Sequence, residues 1–412
     1  MTRPKVLALV LAGGAGGRME VLTTARAKPA LPYAGVYRLI DIALSNIRNS
    51  GIADAWIVVQ YEAQSIISAV ASGRPWDLDR THGGLQIVPP RQEGIEAEGV
   101  WHEGNADAIY QNREMIRAFN PDVLLVLSAD HIYKLDYNDV IDQHLASGAD
   151  ATLVTTDVPM DQASNHGTVT VGKGGKVTQF AYKPDTPESN VVTTEIFVYT
   201  PVVVIETLEK LSFQNSRDDE AGSGLEDFGH DLLPELVRNG DVREFRLPSY
   251  WKDVGRPETY FESHMQLLED NPDLDLDDPA WPIFTLNPQR MPARIHGTAR
   301  IDHSFISPGC DIAGTVERSV LSPGVVVEPG ATVRDAIILE NVTIRAGAAV
   351  QFAIVDEGTV VGKTAKIGQK PKGERPTTEE LVLIGGNARI RGGTTVARGT
   401  RIEPEATVRR KR

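Results

Sequence analysis

Ile384, Ile390, Val396, Ile402 and Val408 recur at every sixth position without a break. Ile338, Ile344 and Val350 keep the same step, as do Val355, Val361 and Ile367, and Ile295 with Ile301. Pro-Gly pairs punctuate the pattern at Pro308-Gly309, Pro323-Gly324 and Pro329-Gly330. A period of six means one inward aliphatic residue per short strand with a turn after each, which is the pattern of a hexapeptide β-helix. Gln369 to Glu380 breaks the period and is expected to loop out of the coil. Stacking and oligomerisation are the expected work of such a domain. An acyltransferase role is weaker, because no histidine stands at a clear acyl-transfer position among the late rungs.

The periodic region is only the last part of 412 residues, a length that calls for at least two domains. The formal net charge of −14 argues against general nucleic-acid binding, where a basic surface is expected. With Cys310 as the single cysteine, neither a disulfide nor a cysteine zinc site can form within the chain. The apolar run Val6 to Ala12 behind Arg3 and Lys5 faintly resembles a signal peptide, but a buried first strand explains it better. No apolar run reaches the roughly 18 residues that cross a bilayer, so no membrane partner is expected. A cytoplasmic enzyme is the default reading.

Ahead of the repeats, strand-like and helix-like segments alternate. Val6 to Leu11, Ala55 to Val59 and Val123 to Leu127 read as buried strands. Tyr37 to Ser50, Glu62 to Ala71 and Asn105 to Phe119 read as helices between them. This rhythm implies right-handed crossovers and a mostly parallel sheet, whose ligands gather at the carboxyl ends of the strands. Asn165 to Thr200 changes to short strands suited to an antiparallel insertion bearing a second substrate. Helices return at Pro201 to Leu211 and Glu226 to Arg238, and a last one runs through Met265 to Leu268. The expected fold is an α/β, Rossmann-like domain with a mixed, mostly parallel sheet over 1–268. An Asp- and Pro-rich linker follows over 269–292, then a left-handed parallel β-helix over 293–412.

The chemistry concentrates at Leu11-Ala12-Gly13-Gly14-Ala15-Gly16-Gly17-Arg18, followed ten residues later by Lys28-Pro29. Glycines let backbone N–H groups close around an anion, and two cations can neutralise charge that builds up during phosphoryl chemistry. The spacing fits neither a P-loop nor the dinucleotide fingerprint. Together with Arg26-Ala27-Lys28-Pro29-Ala30 it resembles the signature of the sugar-nucleotide pyrophosphorylases. The resemblance extends over nearly the whole chain to the ADP-glucose pyrophosphorylase (glucose-1-phosphate adenylyltransferase) branch. It is carried by Tyr37-Arg38-Leu39-Ile40-Asp41, Leu44-Ser45-Asn46, Ala106-Asp107-Ala108, Ala129-Asp130-His131-Ile132-Tyr133, Asp227-Phe228-Gly229 and Trp251-Lys252-Asp253-Val254-Gly255, in that order.

The resemblance implies attack of a sugar 1-phosphate oxygen on the α-phosphorus of a nucleoside triphosphate, with release of pyrophosphate. Alignment and charge neutralisation are then the enzyme's task. It implies that Arg18 and Lys28 hold the triphosphate, and that Asp130 and Asp253 hold Mg2+, a hard cation suited by oxygen ligands. Leu11, Ala12, Gly13, Gly14, Gln92, Gly104, Asn105 and Asp107 would line the nucleotide. Tyr182, Lys183, Glu195, Gly167 and Trp251 would line the sugar phosphate. Each has a plainer alternative: Asp130 as a turn cap, Lys28 as an ordinary surface lysine, Asp253 as a partner of Lys252. His131 reads as a packed histidine. A homo-oligomer, dimer or tetramer, is implied as well.

The sequence departs from the branch where hydroxyls are read. Tyr182-Lys183-Pro184 replaces Glu-Lys-Pro, and a phenol cannot accept the same pair of hydrogen bonds. Thr193-Thr194-Glu195 replaces Ser-Met-Gly. His102-Glu103 stands for a Tyr-Arg pair, and Pro89-Pro90-Arg91-Gln92 for Pro-Ala-Gln-Gln, the loop that reads the base. Ala25 stands where some members carry an activator-binding lysine. Three readings stay open: glucose 1-phosphate with ATP; a cyclitol (valienol-type) or amino sugar 1-phosphate with ATP or GTP; or a regulatory paralogue without catalysis.

Overall fold

The computed structural model describes residues 3–14, 16–89, 104–215, 223–286, 289–373 and 375–409. The chain divides into two compact units. One comprises Met1–Gly14, Ile42–Trp251 and Ala280–Ile283, and the other Ala15–Asp41, Lys252–Pro279 and Phe284–Arg412.

The first unit is built on a nine-stranded sheet: β1 (Val6–Ala12), β2 (Asp54–Val59), β3 (Gly84–Val88), β4 (Val123–Ser128), β5 (Ala151–Asp157), β6 (Gly167–Val171), β7 (Val177–Tyr182), β8 (Val191–Tyr199) and β9 (Val242–Arg246). The main path runs β7-β6-β8-β4-β1-β2-β3, with β5 pairing both β8 and β9. β4, β1, β2 and β3 are parallel, which places their carboxyl ends along one edge. Continuous apolar runs make these strands: Leu7 to Val10 and Val123 to Leu127 are fully buried, as expected of a sheet covered on both faces. Asn165 to Thr200 is antiparallel as expected, but its strands join the same sheet and do not form a separate layer.

Two helices differ from the sequence expectation. Asn105 to Phe119 splits into Asn105–Gln111 and Arg113–Phe119. The side chain of Asn112 donates to the Ala108 carbonyl at 2.8 Å, and a side-chain bond of this kind competes with the helical ladder and bends it. Only Leu232–Asn239 is helical in the Glu226 to Arg238 segment, because Asp227-Phe228-Gly229 forms a turn that carries part of the site. Within the predicted linker, Trp281 Nε1 donates to Asn46 Oδ1 at 2.7 Å, and the Pro282 carbonyl accepts from Asn49 at 3.0 Å.

In the second unit the strand pairings among the described repeats are parallel, and the paired aliphatic residues fall in three columns, of which Ile295 and Ile301 at the start of the repeats are exposed. One runs Ile301, Val316, Val333, Val350, Ile367, Val396. Another runs Ile295, Ile312, Val327, Ile344, Val361, Ile390, Val408, and the third Ile306, Leu321, Ile338, Val355, Ile384, Ile402. Steps along the first column are 17 residues from Val316 to Ile367, and the next is 29. The excess matches the expected loop at Gln369 to Glu380. Each buried aliphatic contributes about 1.5–3 kcal/mol, so a repeated rung holds itself together without a separate layer.

This unit also buries a carboxyl with a cost. Asp41 is fully buried; it accepts from the Arg38 backbone N–H at 2.8 Å. Burial pushes its carboxyl up to about 7, against the opposing pull of Thr285 and Arg38. The folded chain therefore holds a proton that the unfolded chain releases. The stability this contributes is complete below the unfolded value of 3.8 and is lost as pH rises through about 7. Asp41→Asn is expected to flatten that decline. Above pH 7 it should be more stable than the wild type by on the order of 3 kcal/mol in urea unfolding; parallel pH profiles would count against the assignment.

Candidate active site

In the first unit, the carboxyl ends of β1 and β4 bring the glycine turn and Asp130 side by side. Leu11 lies opposite Ser128, and the Ala129 N–H donates to the Leu11 carbonyl at 3.3 Å. Leu11 and Ala12 are buried, and Gly13 and Gly14 emerge from the strand end. A side chain on Gly13 would press on Gln60, while Gly14 opens onto free space.

Asp130 accepts from the Ser128 hydroxyl. His131 is 4 % exposed, and its Nδ1 lies 3.0 Å from the Thr194 carbonyl. A carbonyl only accepts, so Nδ1 carries a proton and Nε2 faces Asp130 Oδ1 at 3.7 Å. Glu195 completes the group: one ligand atom each from Asp130, His131 and Glu195 lie within 4.8 Å of one another. Two carboxylates and an imidazole suit a divalent cation. Glu195 holds a left-handed backbone (φ 55°) where the pairing of β8 with β5 shifts register. That conformation costs a side-chain-bearing residue about 1–2 kcal/mol.

Two of the residues expected at the sugar phosphate, Tyr182 and Lys183, join a chain of hydrogen bonds. The Tyr182 phenol donates to Asp227 Oδ2 at 3.0 Å and accepts from Lys183 Nζ at 2.9 Å. Asp227 Oδ1 accepts in turn from the Asn105 backbone N–H at 3.2 Å. The Tyr182 ring packs edge-on against His230 and lies so close to Gly229 that a Cβ there would come within 1.9 Å of it. Gly167 faces the Phe180 ring and Thr193. The cleft bounded by Tyr182, Lys183, Glu195, Gly167, Asp227 and His166 is narrow, about 30 Å³, and open to one side. Trp251 stands edge-on to both His131 and His166, and its indole N–H is buried without a partner among the described residues.

Other expected nucleotide residues are placed less directly. Gly104 lies against the Glu226 backbone. Asp107 is buried and accepts from Ser223 Oγ at 2.6 Å and Gln111 Nε2 at 3.1 Å, bonds that anchor a helix. Gln92, Arg91 and His102-Glu103 lie outside the described residues. Sequence reasoning had not singled out His166 or the bonding role of Asp227. The Asp-Phe-Gly tripeptide was the available signal for the latter; nothing around His166 marks it.

In the second unit, the segment after the glycine turn carries the two expected cations. Gly16 is left-handed (φ 63°), and a Cβ there would meet Thr23 and Lys28 at 3.1–3.2 Å. Glycine thus lets the loop close over the lysine. Arg18 is exposed and its guanidinium lies beside Gly255. Lys28 is buried, with Nζ 3.6 Å from Asp253 Oδ1. Two ion pairs fasten this loop to the coil. Glu20 takes a two-pronged contact from Arg401 at 2.6 and 2.9 Å. Arg26 bonds both oxygens of buried Asp356 at 2.8 and 2.9 Å.

Comparison with known proteins adds the family context. A nucleotidyl transferase family model matches residues 7–270, and a GlmU-like C-terminal hexapeptide model matches 291–384, a repeat whose parallel coil is left-handed. The glucose-1-phosphate adenylyltransferase of Clostridium beijerinckii is 39 % identical over 398 residues, 96 % of this chain and 98 % of that protein. That of Geobacillus stearothermophilus is 40 % identical over 334 residues, 81 % of this chain and 84 % of its own. The Acetivibrio thermocellus protein of the same name is 34 % identical over 414 residues, 99 % of this chain and 95 % of its own.

Proposed function

The chain belongs to the glucose-1-phosphate adenylyltransferase family of nucleotidyl transferases, and from that premise we propose that it joins glucose 1-phosphate to ATP, releasing pyrophosphate. The observation that carries the reading is the meeting of the glycine turn with Asp130 at the carboxyl ends of two adjacent parallel strands. That edge is where sheets of this kind bind their ligands.

An oxygen of the sugar phosphate attacks the α-phosphorus, the bond to the β-phosphate breaks, and pyrophosphate departs with the electron pair. The nucleophile is already ionised, so no side chain has to take a proton. Backbone N–H groups of Gly13 and Gly14 orient the nucleotide, and Arg18 and Lys28 offset charge growing on the leaving pyrophosphate. Lys183 grips the sugar phosphate. By the family resemblance Asp130 and Asp253 would each serve as ligands of Mg2+, and the chemistry the ion would supply is neutralisation of phosphate charge. Asp130 stands in a group with His131 and Glu195 whose atoms could hold a divalent cation, which supports its reading as a metal ligand. An oligomer built through the coil and a cytoplasmic site, where the triphosphate is abundant, complete the proposal.

A second reading, the same chemistry on an amino sugar or cyclitol 1-phosphate with ATP or GTP, is favoured by one observation. Tyr182, which stands where the family carries a glutamate, is tied in place by Asp227 and Lys183. A coupled pyrophosphate-release assay over a grid of triphosphates and 1-phosphates separates the two. Fastest turnover with ATP and glucose 1-phosphate supports the first reading, and preference for another acceptor supports the second. Silence with every pair, despite nucleotide binding, would leave only a regulatory paralogue.

A further inference from the structure

We propose that His131 and Glu195 are metal ligands alongside Asp130, forming a three-residue site that takes a divalent transition-series cation such as Mn2+ before any nucleotide arrives. The inference rests on the reading of Asp130 as a cation-binding residue and extends it to two side chains that reading does not require.

Three observations meet at this point. The ligand atoms of the three residues fall within 4.8 Å of one another, close enough for one ion to touch all three. His131 is more than nine-tenths buried, and its Nδ1–H is engaged by the Thr194 carbonyl, so Nε2 is the atom presented to Asp130. An imidazole held through one nitrogen by a backbone carbonyl, with the other directed at carboxylates, is how proteins orient a histidine for a metal. Glu195, lastly, keeps a backbone conformation better suited to glycine, beside Thr194, whose carbonyl orients the imidazole.

The chemistry of the set decides the kind of cation. A pair of carboxylates alone suits Mg2+, which binds mainly through oxygen and retains its waters. Adding a neutral imidazole raises affinity for Mn2+, Co2+ and Zn2+ relative to Mg2+. The site should therefore load without the phosphates that usually complete a Mg2+ shell.

The test is a titration of the metal-stripped full chain with Mn2+ at pH 7.5 without nucleotide, reading free Mn2+ by electron paramagnetic resonance. One site with a dissociation constant below about 100 μM is expected, weakened at least tenfold (about 1.4 kcal/mol) by Glu195→Gly and by His131→Gln. Glu195→Gly should at the same time raise the unfolding temperature, since glycine relieves the left-handed backbone, so weaker binding could not be blamed on misfolding. No tight site in the wild type, or equal affinity in wild type and Glu195→Gly, would overturn the proposal. If Asp130→Asn abolished binding and turnover while Glu195→Gly changed neither, this inference would fall and the nucleotidyl-transfer reading would stand. If Mn2+ binding required Glu195 but no substrate pair turned over, the inference would stand and that reading would fall.

Discussion

Asp130→Asn is expected to cut turnover by on the order of 10²–10³-fold or more, with little change in fold. The substitution keeps the size of the side chain and can still accept from the Ser128 hydroxyl, but removes the charge that a cation needs. Because the strand ends place this carboxylate beside the glycine turn, its loss should fall on kcat and not only on nucleotide affinity. Lys28→Met should act with similar size through a different step. It keeps the buried stem while deleting the ammonium that faces Asp253, so charge on the departing pyrophosphate goes unmatched. Steady-state kinetics with near-normal turnover in either variant would remove that residue from the mechanism.

The second large effect is on stability. Arg26 and Asp356 form a buried ion pair between the cation-bearing loop and the coil, and removing one partner strands the other charge away from water. Asp356→Leu and Arg26→Leu should each cost about 3–5 kcal/mol in the denaturant transition of the second unit. The double replacement should recover most of that loss, since two apolar groups leave no orphan charge. Equal losses in the double and single variants would show that packing and not charge is what the pair supplies. Lys28 lies two residues beyond Arg26, and its placement depends on this anchor; the single variants should therefore also raise the KM for the triphosphate.

How much of this was visible beforehand depends on the range of the interactions involved. The coil was legible because a short local rule recurs, an aliphatic every six residues, so that Ile338, Ile344 and Val350 could be written from spacing, while the 17-residue step between coils, one short of three sixes, shows only in the strand pairing. The buried strands and the meeting of the glycine turn with Asp130 followed from short apolar runs and the geometry of parallel sheets. Breaks such as Asn112 were not legible, because a single side-chain bond to Ala108 outweighs a good helical pattern. The fastening of the 16–41 loop to the coil was hidden for another reason. Its partners lie 330 and 381 residues away, and no local pattern encodes such a pairing. The cleft around Tyr182 lay between these extremes. Tyr182 and Glu195 stood out as unusual residues, but only the fold shows the phenol spanning Asp227 and Lys183.

The most direct measurement follows the phosphorus atoms themselves. The protein is given nucleoside triphosphate labelled at the α- or the γ-phosphorus, a divalent cation and a 1-phosphate acceptor, and the products are separated. The α-label should appear in a nucleotide sugar and the γ-label in pyrophosphate, and both should vanish in Asp130→Asn. Transfer of the γ-label to the acceptor, or its release as inorganic phosphate, would mean that the chain attacks a different phosphorus and that the account is wrong.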